Sequence, residues 1–420
     1  MKILLVGNYH PSDQKSMQRF AMLLDRGFKA AGHETRLICP PVVAGTLPVQ
    51  GAVAKWLGYV DKFIVFPKSL KKAVQWADIV HICDHSNAFY IKYMQNRPHL
   101  VTCHDMLAIR SALGEIPCNR TSWTGRQLQS MILRGLQEAG RTGHIACVSE
   151  ATRQDILRVA GVPKETVSKI YNGLNFTYSP LDTAQGREKI KKFGIVKDQR
   201  FLVHVGGNSW YKNRLGVLKI FSALKSRPEG RYLSLVMAGQ KFTSEMSLFV
   251  RNCLPGRDVL ELINPSNEDL RALYSCAEMM LFPSLQEGFG WPIIEAQACG
   301  CPVVTSDRAP MTEVGGDAAT YIDPNDIDSA ASAIARKIHI RSQPCEKSLQ
   351  NVERFSASRM IDRYLALYGM LLCSRQTNGN HERANIKKRP EQLLWPLRIL
   401  GRSNDRVRSP GGSGAPDSRS

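Results

Sequence analysis

Two carboxylates stand eight residues apart in residues 286–304, which read QEGFGWPIIEAQACGCPVV. Glu287 precedes a Gly-Phe-Gly turn, and Glu295 follows a Trp-Pro pair. Glycines let the backbone approach a ligand closely, and a helix that begins near them favours phosphate at its N-terminus. Carboxylates favour hydroxyl groups instead, because hydroxyls donate hydrogen bonds to them. A ligand with hydroxyl groups on both sides of a pyrophosphate meets both demands, and a nucleotide sugar is such a ligand.

Local signals place these two carboxylates on a loop and on the helix that follows it. The run AEMMLFPS predicts a strand that ends at Pro283, and Pro292 suits the first turn of a helix, where its missing N–H costs nothing. Gly300 is a natural helix end, and CPVV predicts the next buried strand. The first carboxylate is therefore expected on the loop and the second in the first helical turn.

Two other interpretations of the pair stay open from these residues alone. An acidic residue in the first turn of a helix complements the helix dipole, so Glu295 has a purely structural interpretation. Two carboxylates also form the acid and base of a glycoside hydrolase. A nucleotide-binding site requires neither the helix-dipole role nor the acid–base role.

Three further side chains are candidates for the same site. Lys212 follows two glycines in VGGNSWYKN, which favours a phosphate contact over a solvated loop lysine. His104 lies in VTCHD at a predicted strand end, where a site residue is favoured over a structural histidine. His81 and His85, in VHICDHSNAFY, have a structural and a functional interpretation of equal weight.

Short apolar runs alternate with helical patterns along most of the chain, which indicates parallel sheets flanked by helices. The first set of strand-like runs is KILLVG, ETRLICP, ADIVHIC, HLVTCHD, HIACVS and VSKIYNG. The second set is RFLVHVGG, YLSLVMAG, DVLELI, AEMMLFPS, CPVVTS and ATYIDP. Two tandem doubly wound α/β domains are therefore predicted, with a ligand cleft at the carboxyl ends of their strands.

The predicted domains are residues 1–172 for acceptor binding and residues 178–355 for nucleotide-sugar binding. Residues 356–375 are expected to form a closing helix. Residues 376–420 form a basic tail that is expected to be disordered, with one apolar island, QLLWPLRILG. No apolar run approaches the roughly 20 residues that span a bilayer.

The net charge of +19 is uneven along the 420 residues. Residues 1–172 hold 22 Lys/Arg against 12 Asp/Glu, whereas residues 173–372 hold 24 against 21. An anionic partner follows from this excess: a nucleic acid, an anionic lipid surface or a phosphorylated small molecule. The eleven cysteines show no zinc spacing and are expected to be reduced.

The stretch EGFGWPIIEAQACGCPVVTSD resembles the E-x7-E signature of the retaining glycosyltransferases of family 4, which have the GT-B fold of two Rossmann-like domains facing a cleft. VGGNSWYKN resembles the family's lysine-bearing loop, and VTCHD its histidine loop. CVSEATRQDI and IYNGLN resemble the end of its first domain. In this order, the pieces extend the resemblance over most of residues 1–372.

The resemblance implies a role for each matching residue. Glu287, Lys212 and His104 would act at the reacting sugar and phosphate, with Glu287 on the donor hydroxyls and Lys212 on the pyrophosphate. Glu295 would bind the ribose hydroxyls. The loop residues Gly288, Phe289 and Gly290, together with Gly207, would line the donor. Asn172 and Gly173 resemble the hinge between domains.

The sequence departs from the family pattern at two places. The family often has a second, phosphate-clamping arginine before the lysine, and that position here is Gly207 or Asn208, so Arg214 is the candidate substitute. The loop after the first strand lacks the usual glycine pair. Ser16, Gln18 and Arg19 near the next helix, together with His85, are therefore expected on the acceptor side.

The resemblance implies transfer of a hexose from a nucleoside-diphosphate sugar, GDP-mannose-like or UDP-linked, to a hydroxyl of a saccharide or lipid-linked saccharide. No metal or other cofactor is expected, because no Asp-x-Asp lies in a convincing strand-end loop. A cytoplasmic location is expected, with peripheral contact to the anionic inner face of the cell membrane. A sugar-nucleotide epimerase is the alternative, and a nucleic-acid-binding protein lacks a recognisable motif.

Overall fold

The computed structural model describes residues 1–11, 14–46, 52–94, 96–254, 256, 258–338 and 343–386. Residues 1–375 form one compact unit, separate from residues 376–420. The compact unit contains two parallel six-stranded sheets, and each predicted strand run contains one of the twelve strands. The α/β class and the two doubly wound domains predicted from the sequence are confirmed.

The first sheet has the strand order β2-β1-β3-β4-β5-β6. Its strands are β1 (Lys2–Val6), β2 (Glu34–Ile38), β3 (Ile79–Ile82), β4 (His99–Cys103), β5 (His144–Cys147) and β6 (Val167–Lys169). Its helices are α1 (Lys15–Ala30), α2 (Ala52–Val60), α3 (Phe66–Trp76), α4 (Leu107–Ala112), α5 (Trp123–Thr142) and α6 (Glu150–Ala160). A π-helical turn, Asp61–Val65, joins α2 to α3, and a 3₁₀ segment, His85–Tyr93, follows β3.

The second sheet has the strand order β12-β11-β10-β7-β8-β9. Its strands are β7 (Arg200–Gly206), β8 (Leu233–Gly239), β9 (Val259–Ile263), β10 (Met279–Phe282), β11 (Val303–Ser306) and β12 (Ala319–Ile322). Its helices are α7 (Thr183–Lys191), α8 (Arg214–Lys225), α9 (Ser244–Cys253), α10 (Asn267–Cys276), α11 (Trp291–Ala298), α12 (Met311–Gly315), α13 (Ile327–Lys337) and α14 (Glu346–Val352).

Apolar residues cover both faces of each sheet, as expected for parallel strands between helices. The central strands β1, β3, β4 and β5 are almost completely buried, and so is β10 in the second domain. Because both faces are packed, only the strand ends are open to a ligand. The sheets therefore leave the site to the loops at their carboxyl edges.

The last helix, α15 (Ala357–Ile386), returns to the first domain. Its residues Met360, Ile361, Tyr364 and Tyr368 pack in a cluster with the buried side chains of β1 and α1. The closing helix predicted over residues 356–375 continues eleven residues further, to Ile386. The rest of the tail, including the island around Trp395, lies outside the described residues. None of the described helices combines the length and the hydrophobicity required to cross a bilayer.

Candidate functional site

The strand orders fix where each sheet opens. In the second sheet, successive strands are added on opposite sides of the neighbouring pair β7 and β10. In the first sheet, the same reversal of strand order occurs between β1 and β3. Loops on either side of such a switch point diverge and leave a crevice at the carboxyl ends of the strands. The loops that carry Lys212 and Glu287 follow β7 and β10, so both residues lie at the second switch point.

Backbone and side-chain hydrogen bonds connect these two loops. The N–H of Leu285 donates to the Tyr211 carbonyl at 2.7 Å, and the Asn213 amide donates to the Pro283 carbonyl at 3.0 Å. Lys212 Nζ lies 2.7 Å from Glu287 Oε1. Burial alone would lower the pKa of Lys212, but the adjacent Glu287 carboxylate raises it above its usual value. Lys212 is therefore a fixed ammonium group at the cleft.

Glu295 was expected in the first helical turn, but α11 begins at Trp291 and its first turn holds no acidic residue, so Glu295 is buried one turn later. Tyr274 donates a hydrogen bond to its Oε2 at 3.3 Å. Burial raises the pKa of Glu295 to about 7, while the positive charges of Arg19 and Lys212 and the Tyr274 hydroxyl act in the opposite direction. A carboxylate in this state gains from hydroxyl donors, because they stabilise its ionised form.

Two glycines of the EGFG turn are required by its geometry. A Cβ atom at Gly288 would lie 1.8 Å from the His104 carbonyl oxygen, so only a glycine allows this close approach of the two domains. Gly290 has a φ of 97° and precedes α11 as its N-cap. Ser149 and Thr152 of the first domain donate to the Gly288 carbonyl at 2.7 and 3.2 Å. The first domain thus holds the turn from both sides.

His104 follows β4 and presents one free ring nitrogen. Its Nε2 lies 2.9 Å from the Cys83 carbonyl, which only accepts, so Nε2 carries the proton. Nδ1 is buried and has no hydrogen-bond partner among the described residues. Burial lowers the pKa of His104, although Asp84 acts in the opposite direction. A neutral ring with an unused acceptor therefore lies at the cleft.

The first switch point is filled by a connected polar cluster of Asn8, Asp84, His85 and Asn87. Asp84 accepts from the Ser86 N–H at 2.9 Å and from Asn8, and Asn87 donates to Asn8 at 2.9 Å. His85 Nδ1 lies 3.2 Å from Asp84. Burial opposes the charge on both partners, but their pairing raises the pKa of His85 and holds the pKa of Asp84 well below its usual range.

A single cavity of about 420 Å³ lies between the two switch points and receives side chains from both domains. The predicted site residues that line it are Ser16, Arg19, His104, Gly207, Lys212, Glu287, Gly288, Phe289, Gly290 and Glu295. A smaller cavity of about 260 Å³ shares Asp105 and Glu287 with it and includes Arg110 and Arg308. The sequence therefore identified residues that the fold brings together from distant parts of the chain.

Three predicted site residues do not line this cavity: Gln18, Arg214 and His85. The Gln18 side-chain amide donates to the His10 carbonyl at 3.1 Å, and an acceptor contact of Gln18 stays a prediction. Arg214 is buried, and its guanidinium donates to the Gln240 carbonyl at 2.7 Å and to the side chain of Asn208. It braces the loops around Gly207, and a direct donor contact stays a prediction. His85 lies beneath His104 and 3.4 Å from its backbone nitrogen. A direct acceptor contact of His85 likewise stays a prediction.

The structure resolves the open interpretation of His81 as structural. His81 is completely buried, and its two ring nitrogens lie 2.7 Å from the hydroxyls of Tyr368 and Thr102. Burial lowers the pKa of His81 to about 3. Its role is to join β3 and β4 to α15.

Sequence reasoning missed several residues that shape the site. Asp84 lies between the two histidines that were considered, and its acidic type next to His85 was the available signal. Trp291 donates from its indole to the Gly173 carbonyl at 3.0 Å and so connects α11 to the segment that is expected to act as the hinge. Gln240 lines the cavity at the end of β8, but no local pattern marks it.

Known proteins match both halves of the chain. The family model described as Glycosyltransferase Family 4 matches residues 17–178, and that described as Glycosyl transferases group 1 matches residues 185–354. Among curated proteins, an O-antigen chain mannosyltransferase B from Escherichia coli is 27% identical over 68% of this chain and 74% of its own length. The O-antigen chain mannosyltransferase RfbU from Salmonella typhimurium is 31% identical over 46% of this chain and 50% of its own length.

Solved structures share the two-sheet architecture. The Anabaena protein Alr3699/HepE, crystallised in complex with UDP and glucose, superposes with a TM-score of 0.66 at 16% identity. The match covers 88% of this chain and 100% of that chain. At this identity the likeness concerns the fold.

Proposed function

The chain belongs to the glycosyltransferases of family 4 with the GT-B fold, and from this premise we propose that it transfers a hexose from a nucleoside-diphosphate sugar with retention of configuration. The observation that carries the proposal is the shared cavity, in which Lys212, Glu287 and Glu295 of one domain face His104 and Arg19 of the other. The acceptor is a hydroxyl of a saccharide or lipid-linked saccharide in polysaccharide or glycolipid synthesis.

The donor half of the site combines cationic and carboxylate groups in the order that such a ligand needs. Lys212 and the N-terminus of α11 offer positive potential for a pyrophosphate. Glu295, with its raised pKa, would accept hydrogen bonds from the ribose hydroxyls and ionise as it does so. Glu287 would exchange part of its contact with Lys212 for the hydroxyls of the transferred sugar.

The free Nδ1 of His104 supports a contact with the sugar over one with the phosphate. A neutral imidazole whose Nε2 proton is already donated has only an acceptor left, and a phosphate oxygen is also an acceptor. A sugar hydroxyl donates to Nδ1 without any change of protonation. His104 would therefore orient the sugar and hold its hydroxyl against the first domain.

The proposed transfer is a front-face substitution. The bond between the anomeric carbon and the leaving phosphate oxygen breaks as the acceptor oxygen approaches from the same face, and the departing phosphate takes the acceptor proton. Lys212 stabilises the growing charge on the phosphate, which is the kind of contribution a preorganised site makes to a transition state. The hydrogen bonds from Ser149 and Thr152 to the Gly288 carbonyl would help to hold the cleft closed so that water does not hydrolyse the donor.

Catalysis without a metal ion is part of the proposal. Its support is the ammonium of Lys212, which burial and Glu287 fix in its charged form, together with the α11 N-terminus. The two relatives named as mannosyltransferases make GDP-mannose the first donor to test, and UDP-sugars the second.

The test begins with thermal unfolding of the full chain against a panel of nucleoside diphosphates, since a ligand of the native state raises its apparent stability. The matching radiolabelled sugar nucleotide is then incubated with saccharide acceptors, with and without a chelator. We expect transfer that survives the chelator and a product whose anomeric configuration, read by NMR, is that of the donor.

Three results would contradict the proposal separately. Inverted configuration would reject retention, and loss of transfer in chelator that is restored by a divalent ion would reject metal independence. A change of the donor's sugar in the absence of any acceptor would identify an epimerase.

A further inference from the structure

The surface of the first domain carries an apolar patch made of Val42, Val43, Trp56, Val60 and Ile64. Trp56 is 62% exposed and Ile64 is 66% exposed. Single exposed apolar residues are ordinary, and those of the second domain, such as Val196 and Tyr232, lie on different elements. Five exposed apolar side chains within residues 42–64 require an explanation.

Helical spacing produces most of this patch. Trp56, Val60 and Ile64 recur every four residues along α2 and the π-helical turn, and Lys68 and Lys72 continue the same spacing on α3. Four residues slightly exceed one α-helical turn, so such a row drifts around a helix. The wider π-helical turn, closed by the Phe66 N–H on the Asp61 carbonyl, takes up part of that drift. One outward face therefore begins apolar and ends basic.

The opposite face of the same helices is firmly packed. The ring centroids of Tyr59 and Phe63 are 5.9 Å apart, those of Phe63 and Phe89 are 4.8 Å apart, and both pairs are tilted. Phe66 packs against Tyr90 at 5.2 Å. Because these rings fill the inner face, the exposed row is held outward by packing and does not rotate into the core.

A buried aspartate fixes the loop that contributes the two valines. Asp61 accepts from the N–H groups of Val43, Ala44 and Gly45 at 3.2, 2.8 and 3.0 Å. Burial alone would raise the pKa of Asp61, but these N–H groups and the Tyr9 hydroxyl lower it below its usual value. The loop that carries the two valines is thus attached to the residue that follows Val60.

Charge around the patch has one sign. Residues 41–76 contain five lysines and a single acidic residue, the buried Asp61. Lys68, Lys71 and Lys72 are exposed at the basic end of the row. A tryptophan and aliphatic side chains bordered by lysines are the composition of a helix that lies in the interface of an anionic bilayer. We propose that this face, the apolar patch with Lys68, Lys71 and Lys72, docks on an anionic phospholipid bilayer.

The patch adjoins the acceptor side of the cavity. Tyr9, in the loop between β1 and α1, donates to Asp61 at 2.9 Å, and its ring lies against Gly58. The same loop leads to Ser16, which lines the cavity. Resting on the proposed function, this connection would bring a membrane-held saccharide acceptor to the acceptor side of the cavity.

Flotation of the full chain with vesicles tests the surface directly. Vesicles of phosphatidylcholine with phosphatidylglycerol should bind it, and vesicles of phosphatidylcholine alone should bind it at least about tenfold less. The double variant Trp56→Ser/Ile64→Ser should weaken anionic binding about tenfold, because it removes the two most exposed members of the patch. The control Val196→Ser/Tyr232→Ser changes equally exposed residues of the other domain and should bind like the wild type.

Charge and depth are tested independently. Lys68→Gln/Lys72→Gln should reduce binding to anionic vesicles, whereas Lys197→Gln/Lys347→Gln should not. Brominated lipids should quench tryptophan fluorescence in the wild type, and this quenching should disappear in Trp56→Phe. It should persist in the control Trp123→Phe, because Trp123 is also well exposed, at 73%, but lies at the start of another helix.

Several outcomes would overturn the proposal. They are absence of binding to either vesicle, equal binding to both, and unchanged binding of the Trp56→Ser/Ile64→Ser variant, which would assign binding to another part of the chain. A fall in oligomer mass caused by that variant would assign the patch to a second copy of the chain. Transfer to a water-soluble acceptor, measured in the same variants, reports on the proposed function separately, since it should be unaffected by these changes.

Discussion

The two switch points both bury carboxylates, but they surround them differently. In the first domain Asp84 is held by Asn8, Ser86 and His85, and its pKa lies well below the usual range. In the second domain Glu295 has the Tyr274 hydroxyl at 3.3 Å, and burial raises its pKa to about 7. The first cluster is satisfied within the protein, whereas the second is left with capacity for a ligand.

This difference indicates how the site is divided. A fully hydrogen-bonded cluster gives a rigid frame, because each of its polar groups is already compensated. A buried carboxylate with few donors costs stability that a ligand's hydroxyl groups would recover. The first switch point therefore positions His104 from beneath, and the second binds the donor. Substitutions in the two clusters should have opposite consequences.

The largest expected effect is on catalysis, at the second switch point. Lys212→Ala removes the ammonium that stabilises the leaving phosphate, and it should raise the activation free energy by roughly 2–4 kcal/mol, as for loss of one oxyanion donor. The measurement is kcat/KM for sugar transfer, with Lys219→Ala on the exposed side of α8 as the matched control. If Lys212→Ala and Glu287→Ala both kept wild-type rates, the assigned site would be wrong.

The next effect is on stability, at the first switch point. Asp84→Asn removes the buried carboxylate that pairs with His85 and accepts hydrogen bonds from Asn8 and the Ser86 N–H, and the free energy of unfolding should fall by roughly 2–3 kcal/mol. Because the folded-state pKa of Asp84 lies below its unfolded value, its contribution is present above that unfolded value and is lost as the pH falls further. Urea unfolding of the variant and the wild type at pH 7 and at pH 3 measures the loss of stability and its dependence on pH.

Asp198→Asn, at an exposed position, is the control for this change and should leave the free energy of unfolding unaltered. Donor affinity should survive Asp84→Asn, since Asp84 does not line the cavity. If the Asp84→Asn protein were as stable as the wild type, the polar cluster of the first domain would not be a rigid support. The difference inferred between the two switch points would then be wrong.

The fold was predictable because parallel strands buried on both faces leave a continuous apolar signal. The twelve runs and the two-domain division followed from it, and the EGFG turn with Pro292 placed Glu287 and Glu295 correctly on a loop and a helix. Local patterns carry this information because it depends on neighbours in the chain.

The partners of the site residues were harder to predict because these contacts join residues far apart in the sequence. Asn8 meets Asp84 across two strands, and Gly288 meets His104 across the domain interface. Arg214 was expected at the phosphate because of its charge, but the carbonyl that it binds, that of Gln240, belongs to a loop whose position only the folded sheet defines. The residue type predicts which contacts a side chain can make, but only the tertiary structure shows which residue it contacts.

A smaller effect should appear at Glu295, with the sign opposite to that at Asp84. Its folded pKa of about 7 exceeds its unfolded value, so its contribution to stability is present below the unfolded pKa and is lost as the pH rises to about 7. Glu295→Gln should therefore raise the free energy of unfolding at pH 8 by roughly 2 kcal/mol and change it little at pH 4. The same variant should bind the donor nucleotide more weakly, and the wild-type increase in affinity from pH 6 to pH 8 should flatten. Lower stability of the variant at pH 8 would contradict the inferred strain.

The smallest expected effect concerns a contact between the two domains, at Glu313. Glu313 on α12 accepts from the Glu150 N–H at 3.0 and 2.9 Å through its two oxygens, and it lies 3.1 Å from Lys169 Nζ. These groups are partly exposed, so Glu313→Gln should cost less than about 1 kcal/mol of stability. Because they connect α12 to the start of α6, the variant should open the cleft and lower kcat/KM a fewfold through KM.

Small-angle scattering measures this opening as a larger radius of gyration, which bound donor should reverse. Glu346→Gln, an exposed change on α14, should alter neither radius nor rate. A double-mutant cycle with Lys169→Gln separates the ion pair from the backbone contact, since only the ion pair should give a coupling energy that salt reduces. If kcat/KM fell while the radius of gyration stayed constant, Glu313 would act within the closed site. The site would then consist of three parts: the rigid cluster of the first domain, the donor-binding cluster of the second, and α12.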